Sequence, residues 1–88
     1  MTAPLAGYRE IVVQDFEFAS LPGERPAPLC CVAIELRSGR RFRIWQDRFN
    51  STPPFATGAD VLNVAYYASA EFGCYRVLGW PAPLRVLD

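Results

Sequence analysis

Asp15 and Glu17 sit near the end of the run Ile11-Val12-Val13-Gln14-Asp15-Phe16-Glu17-Phe18. Read as a strand, the run alternates its side chains between two faces, so Asp15 and Glu17 share one and Phe16 and Phe18 the other. The two acids would stand about 6.5–7 Å apart, two steps of about 3.3 Å. That separation lets two carboxylates share a pair of divalent ions about 3.5–4 Å apart, the arrangement that holds the attacking and leaving oxygens of a phosphodiester in line. The plainer reading is that Asp-x-Glu marks where a strand runs out into solvent. Spacing alone favours the plainer reading, because short motifs match by chance.

The rest of the chain limits what such a pair can be part of. Its 88 residues suffice for one small domain, residues 1–88. At 51% apolar residues the chain is globular rather than disordered. Nine basic and nine acidic residues cancel, so no long-range field draws the chain onto nucleic acid. That counts against a free-standing nucleic-acid clamp, not against DNA presented by a larger assembly. The cysteines are Cys30, Cys31 and Cys74, without a C-x-x-C pair, and histidine is absent, which argues against a structural zinc site. Cys30 and Cys31 should face opposite sides of a sheet as reduced thiols. Neither a signal peptide nor a membrane span is visible, and the expected location is cytoplasmic.

The elements that must position the acids follow from pattern. Residues 11–16 read as a central strand, because the apolar run is continuous before it alternates. The prolines between residues 19 and 28 predict a loop. Residues 29–36 form a second strand, Ser38-Gly39 a turn, and residues 41–45 a third strand whose Arg41 and Arg43 face solvent or guard an edge. Phosphate contact is the functional alternative for these arginines. Residues 46–60 are irregular, as a functional or docking loop is. Residues 61–66 return to strand, Ser69 caps a helix over 70–78, and Gly79 with Trp80-Pro81 ends it. Phe72, Tyr75 and Leu78 make the helix's packing stripe, and Gly73 permits a close backbone approach. Residues 84–87 form a last strand. The prediction is an α/β fold with a mixed sheet of strand order 3-2-1-4-5. Strands one and four then open on one crevice, and Glu71, in the first helical turn, faces Asp15 and Glu17 across it.

These residues resemble a known family. Val12-Val13-Gln14-Asp15-Phe16-Glu17 resembles the first motif of the DEDD 3′–5′ exonucleases, and the predicted topology is their ribonuclease H-like fold. Val64-Ala65-Tyr66-Tyr67-Ala68-Ser69-Ala70-Glu71-Phe72 looks like the second motif, where a strand leads into a helix bearing an acid. The run through Leu78-Gly79-Trp80-Pro81 to Val86-Leu87-Asp88 is similar to exonuclease domains of phage-type family A DNA polymerases. The resemblance implies that Asp15, Glu17 and Glu71 are catalytic acids binding Mg2+ or Mn2+, with single-stranded DNA as substrate. It also carries departures. Glu71 stands where aspartate is usual, Tyr66 and Tyr67 occupy the region of a frequent asparagine, and the third motif has no match before residue 88. Asp88 matches none of the four acids. The expected unit is therefore a truncated domain. It is either an exonuclease portion that binds metal weakly and is inactive alone, or an exonuclease-derived, phage-related binding or inhibitor protein. Trp80, Leu84, Val86 and Leu87 are expected at an exposed end, which predicts a protein partner or homo-oligomer.

Overall fold

Alternation carries the first strand further than its apolar run alone suggests. In the computed structural model, which describes residues 4–66 and 68–88, β1 spans Glu10–Ala19. It is followed by β2 (Ala27–Glu35), β3 (Arg41–Trp45), β4 (Val61–Ala65), α1 (Ala68–Leu78) and β5 (Val86–Leu87), with short 3-10 turns at Pro4–Gly7 and Gln46–Arg48. Residues 1–3 and Tyr67, the latter within the stretch that resembles a second motif, lie outside the described residues. The sheet order is β3-β2-β1-β4-β5, as expected from sequence. β1 pairs antiparallel with β2 and parallel with β4. Among the described residues no helix is long and apolar enough to cross a membrane.

One face of the sheet carries Val12, Gln14 and Phe16 of β1, with Ala33 and Cys31 of β2 in register beside Gln14 and Phe16. α1 packs across this face against β1, β2 and β4. Of the expected stripe Phe72, Tyr75 and Leu78, Tyr75 is buried at the centre of the inner side beside Cys74, while Phe72 and Leu78 are half-buried flanks. Gly73 does admit a close neighbour: a Cβ there would stand 3.4 Å from Pro26 Cγ.

Several boundaries differ from expectation for local reasons. Ala27 and Pro28, read as loop, belong to β2 and pair with Ala19 and Phe18 past a register shift between Glu17 and Phe18. β3 reaches only as far as Cys30, so Pro28 lies where β2 has a neighbour on one side, beside an irregularity, the setting in which a strand tolerates proline. Ser69 does not cap α1. The helix already includes Ala68, whose N–H donates to Asp88 Oδ1 at 3.3 Å, so the acceptor comes from the far end of the chain. β4 ends at Ala65, leaving Tyr66 in a turn, 96% exposed. β5 is shortened to Val86–Leu87, paired with Asn63 and Val64.

Trp80 contradicts the expectation of exposure, being only 4% exposed. Gly79, at φ +75°, turns the chain back on the helix. The Gly79 N–H then donates to Arg76 O (3.3 Å) and the Trp80 N–H to Tyr75 O (2.9 Å), a Schellman closure. Leu84, Val86 and Leu87 are exposed as anticipated.

A buried polar chain ties the layers together. The Tyr75 hydroxyl donates to Gln14 Oε1, Gln14 Nε2 donates to Asn63 Oδ1 at 3.0 Å, and Asn63 Nδ2 reaches Ala56 O at 3.5 Å. Tyr75→Phe leaves Gln14 Oε1 buried without that donor. A loss of about 1–3 kcal/mol is expected, measured as a lower urea midpoint at unchanged slope.

Candidate active site

The site begins where β4 stops. β1 and β4 stay in register as far as Gln14 and Ala65, and β1 then continues alone on that side. The Phe16 N–H points to the side where pairing has ended. A buried N–H without an acceptor would be costly. Glu71, in the first turn of α1, supplies one: Phe16 N donates to Glu71 Oε2 at 2.9 Å. This contact brings the Glu71 carboxylate to the backbone between Asp15 and Glu17.

The three acids are not equivalent. Asp15 and Glu17 are exposed, while Glu71 is 3% exposed. Burial raises the Glu71 pKa first, the charge of Asp15 next, and a hydrogen bond with the Asp15 carboxyl and the charge of Glu17 add to it. The Phe16 N–H opposes these effects, and the carboxyl is held up at about 7. The Asp15 charge thus helps burial keep the Glu71 carboxyl protonated up to near neutral pH. Glu17 acts on Glu71 more weakly. Among the described residues no three His, Cys, Asp or Glu side chains gather closely enough to cage a metal ion. The arrangement fits a loosely held hard cation on Asp15 and Glu71, which would relieve their repulsion while keeping most of its own waters. It does not fit a closed metal cage.

Phe16 steadies the strand between the acids. Its ring meets Trp80 at 5.5 Å, Tyr75 at 5.9 Å and Phe49 at 6.1 Å between centroids. Phe49 and Phe55, from the irregular 46–60 segment, also meet Trp80, at 6.0 Å each. That segment therefore packs the core under the site.

Other groups with shifted acidity serve the fold. Glu35 accepts from the Ile11, Arg37 and Ser38 backbone N–H groups at 2.9, 3.0 and 2.8 Å. These donors, Arg37 first, hold it down at about 2. Their saturation of both oxygens makes it a clasp between β1 and the turn after β2. Sequence reading singled out neither Glu35 nor the Gln14–Asn63 pair. The only available signal for Glu35 was its place just before the Ser38-Gly39 turn. The three thiols are free. Burial, and then the charge of Glu71, push Cys31 up to about 12 and Cys74 to about 11, so both stay neutral. No protein-family model, no curated protein and no solved structure matches this chain, so the assignment of the site rests on its own residues.

Proposed function

We propose that residues 1–88 are an exonuclease-like module with a ribonuclease H-like fold, akin to the 3′–5′ exonuclease domains of phage-type family A DNA polymerases. In this reading Asp15, Glu17 and Glu71 are its acidic site, with weak affinity for Mg2+ or Mn2+ and single-stranded DNA as the substrate class. The observation that carries the reading is the Phe16–Glu71 contact, which sets an acid from the first turn of α1 beside a strand-borne Asp-x-Glu. The strand order supports it as well.

The 88-residue polypeptide is not expected to hydrolyse DNA by itself. It offers three acids at this place and no histidine. A missing group to orient the water removes about 10²–10⁴-fold in rate, and neutral net charge adds no steering. The test is a 3′-labelled and a 5′-labelled single-stranded oligonucleotide incubated with the protein and Mn2+, beside Asp15→Ala. No ladder from either protein is expected. Stepwise digestion from the 3′ end that disappears in Asp15→Ala would overturn the prediction and make the chain a minimal nuclease.

A second reading, an exonuclease-derived, phage-related protein that acts by binding or inhibiting another protein, is favoured by a different observation. The sheet face opposite α1 has apolar side chains open to solvent, among them Val32 and Leu87. In this reading a protein partner or a second copy covers that face.

A further inference from the structure

The charges on the open face are arranged about β2. Asp15 on β1 and Arg43 on β3 both pair with Val32, so an acid and a base stand one strand spacing to either side of it. The row on one side of this one runs Val13–Ile34–Arg41, and the row on the other runs Glu17–Cys30–Trp45. Acids therefore lie along β1, bases along β3, and uncharged side chains along β2 between them. Asp15, Glu17, Arg41, Arg43 and Trp45 are exposed, and Val32 is 45% exposed. Among the described residues, none of these four charged side chains has an ion-pair partner. Parallel strand pairs such as β1–β4 ordinarily have both faces covered, yet α1 covers only one.

We infer that this face is the interface of a symmetric dimer, in which a second copy of the chain lies on it about a two-fold axis running along β2. Such an axis exchanges β1 with β3 and lays each row on itself. Arg43 of each copy then stands over Asp15 of the other, and Val32 meets Val32, as a self-complementary contact requires. Trp45 comes over Glu17, where its indole N–H has a carboxylate to donate to. Arg41 comes over Val13, its stem on the apolar side chain and its guanidinium within turning distance of Asp15. The two sheets run aligned about 10 Å apart, a common way for sheets to pack. Opposite charge about a shared centre is what selects this occupant. A foreign partner must bring a basic strip for β1 and an acidic strip for β3, while a second copy has both in the matching rows. A helix laid along the strands would set an apolar stripe on Asp15 and Glu17. Single-stranded nucleic acid meets no net positive charge here, and β1 with its acids lies between the exposed rings of Trp45 and Tyr66. The inference rests on the second reading only in that this face is covered, and it is independent of the nuclease reading. A divalent cation on Asp15 would compete with Arg43 of the other copy, so the test is made in EDTA.

The test is a charge exchange followed by sedimentation from micromolar to millimolar protein. The wild type should form a dimer that weakens as salt is raised. Asp15→Arg and Arg43→Asp each set like charges against each other across the axis, and each should dimerise at least about tenfold more weakly. The double variant Asp15→Arg/Arg43→Asp restores both pairs in reverse and should dimerise again. An equimolar mixture of the two single variants also restores both pairs, and should form mixed dimers that neither forms alone. Val32→Asp places two like charges at the axis and should be monomeric. The substituted positions are exposed, and circular dichroism should match the wild type throughout. A wild type that stays monomeric to millimolar concentration would overturn the inference, while leaving a foreign protein as the occupant in the second reading. A dimer indifferent to Arg43→Asp or to Val32→Asp would overturn it too, by placing the contact elsewhere. So would a loss in the folded single variants that neither the double variant nor the mixture repairs. Oligonucleotide binding by a monomeric wild type, lost in Arg43→Asp, would assign the face to nucleic acid and overturn it as well.

Discussion

Trp80→Ala should cost the chain about 3–5 kcal/mol of stability. Trp80 meets four rings, Tyr75 at 5.0 Å, Phe16 at 5.5 Å, and Phe49 and Phe55 at 6.0 Å each. Its indole N–H donates to Asn50 O at 2.7 Å. One side chain therefore joins α1, β1 and the irregular 46–60 segment. Tryptophan-to-alanine changes in a core cost about 3–5 kcal/mol. A domain of this size has only about 4–13 kcal/mol in total, at about 0.05–0.15 kcal/mol per residue. Trp80→Phe keeps much of the ring packing and gives up the bond to Asn50, a net loss of about 0.5–1.5 kcal/mol for the hydrogen bond. Urea unfolding followed by far-ultraviolet circular dichroism orders the three proteins. Hydrogen exchange at the Phe16 amide adds a local readout, because loosening the ring cluster frees the strand between Asp15 and Glu17. A midpoint for Trp80→Ala within error of the wild type would refute this account of the core.

The same residue shows where sequence reading stopped. Gly79 and Trp80-Pro81 signalled a helix end, and the end is where they put it. The signal could not tell that the closure at Gly79 folds the indole inward rather than leading it away. Strand order was legible because a hairpin beside a central strand, followed by a strand–helix–strand unit, leaves few arrangements. Asp15 and Glu17 were legible as a pair because the period of a strand is two. Gln14 and Asn63 were not, since an amide inside an apolar run looks the same whether it faces water or a buried partner. Ser69 was a reasonable local cap. The acceptor for Ala68 came instead from Asp88, a tertiary contact that no window of neighbouring residues contains. Glu71 was placed on the correct helical turn, but its role as acceptor for Phe16 depended on β4 ending before β1.

Glu71→Gln should make the chain more stable at pH 8 and leave it nearly unchanged at pH 4. The ordinary value of this carboxyl is 4.5, and burial followed by the Asp15 charge raises it to about 7 in the folded chain. Below 4.5 it is protonated in both states, so its contribution is fully present. As the pH climbs toward 7 the unfolded chain ionises first, and stability falls until the folded carboxyl ionises too. The full difference would amount to about 3 kcal/mol, and solvent around the exposed Asp15 screens this to about 1–2 kcal/mol. Glutamine carries no charge at any pH and still offers an oxygen to the Phe16 N–H, so its stability should stay flat across that window. Glu71→Ala separates the two roles. It removes the charge but orphans the N–H, and should be less stable than Glu71→Gln by about 1–3 kcal/mol at every pH. Thermal melts from pH 4 to pH 8 measure all three. A wild-type curve parallel to that of Glu71→Gln would mean that Glu71 is ionised at ordinary carboxylate pH. The carboxyl pair also predicts a cation effect. Millimolar Mn2+ should raise the melting temperature of the wild type at pH 8, because a cation bound only by the folded chain stabilises it. Neither Glu71→Gln nor Asp15→Asn should respond, and an equal response from all three would place the bound cation elsewhere.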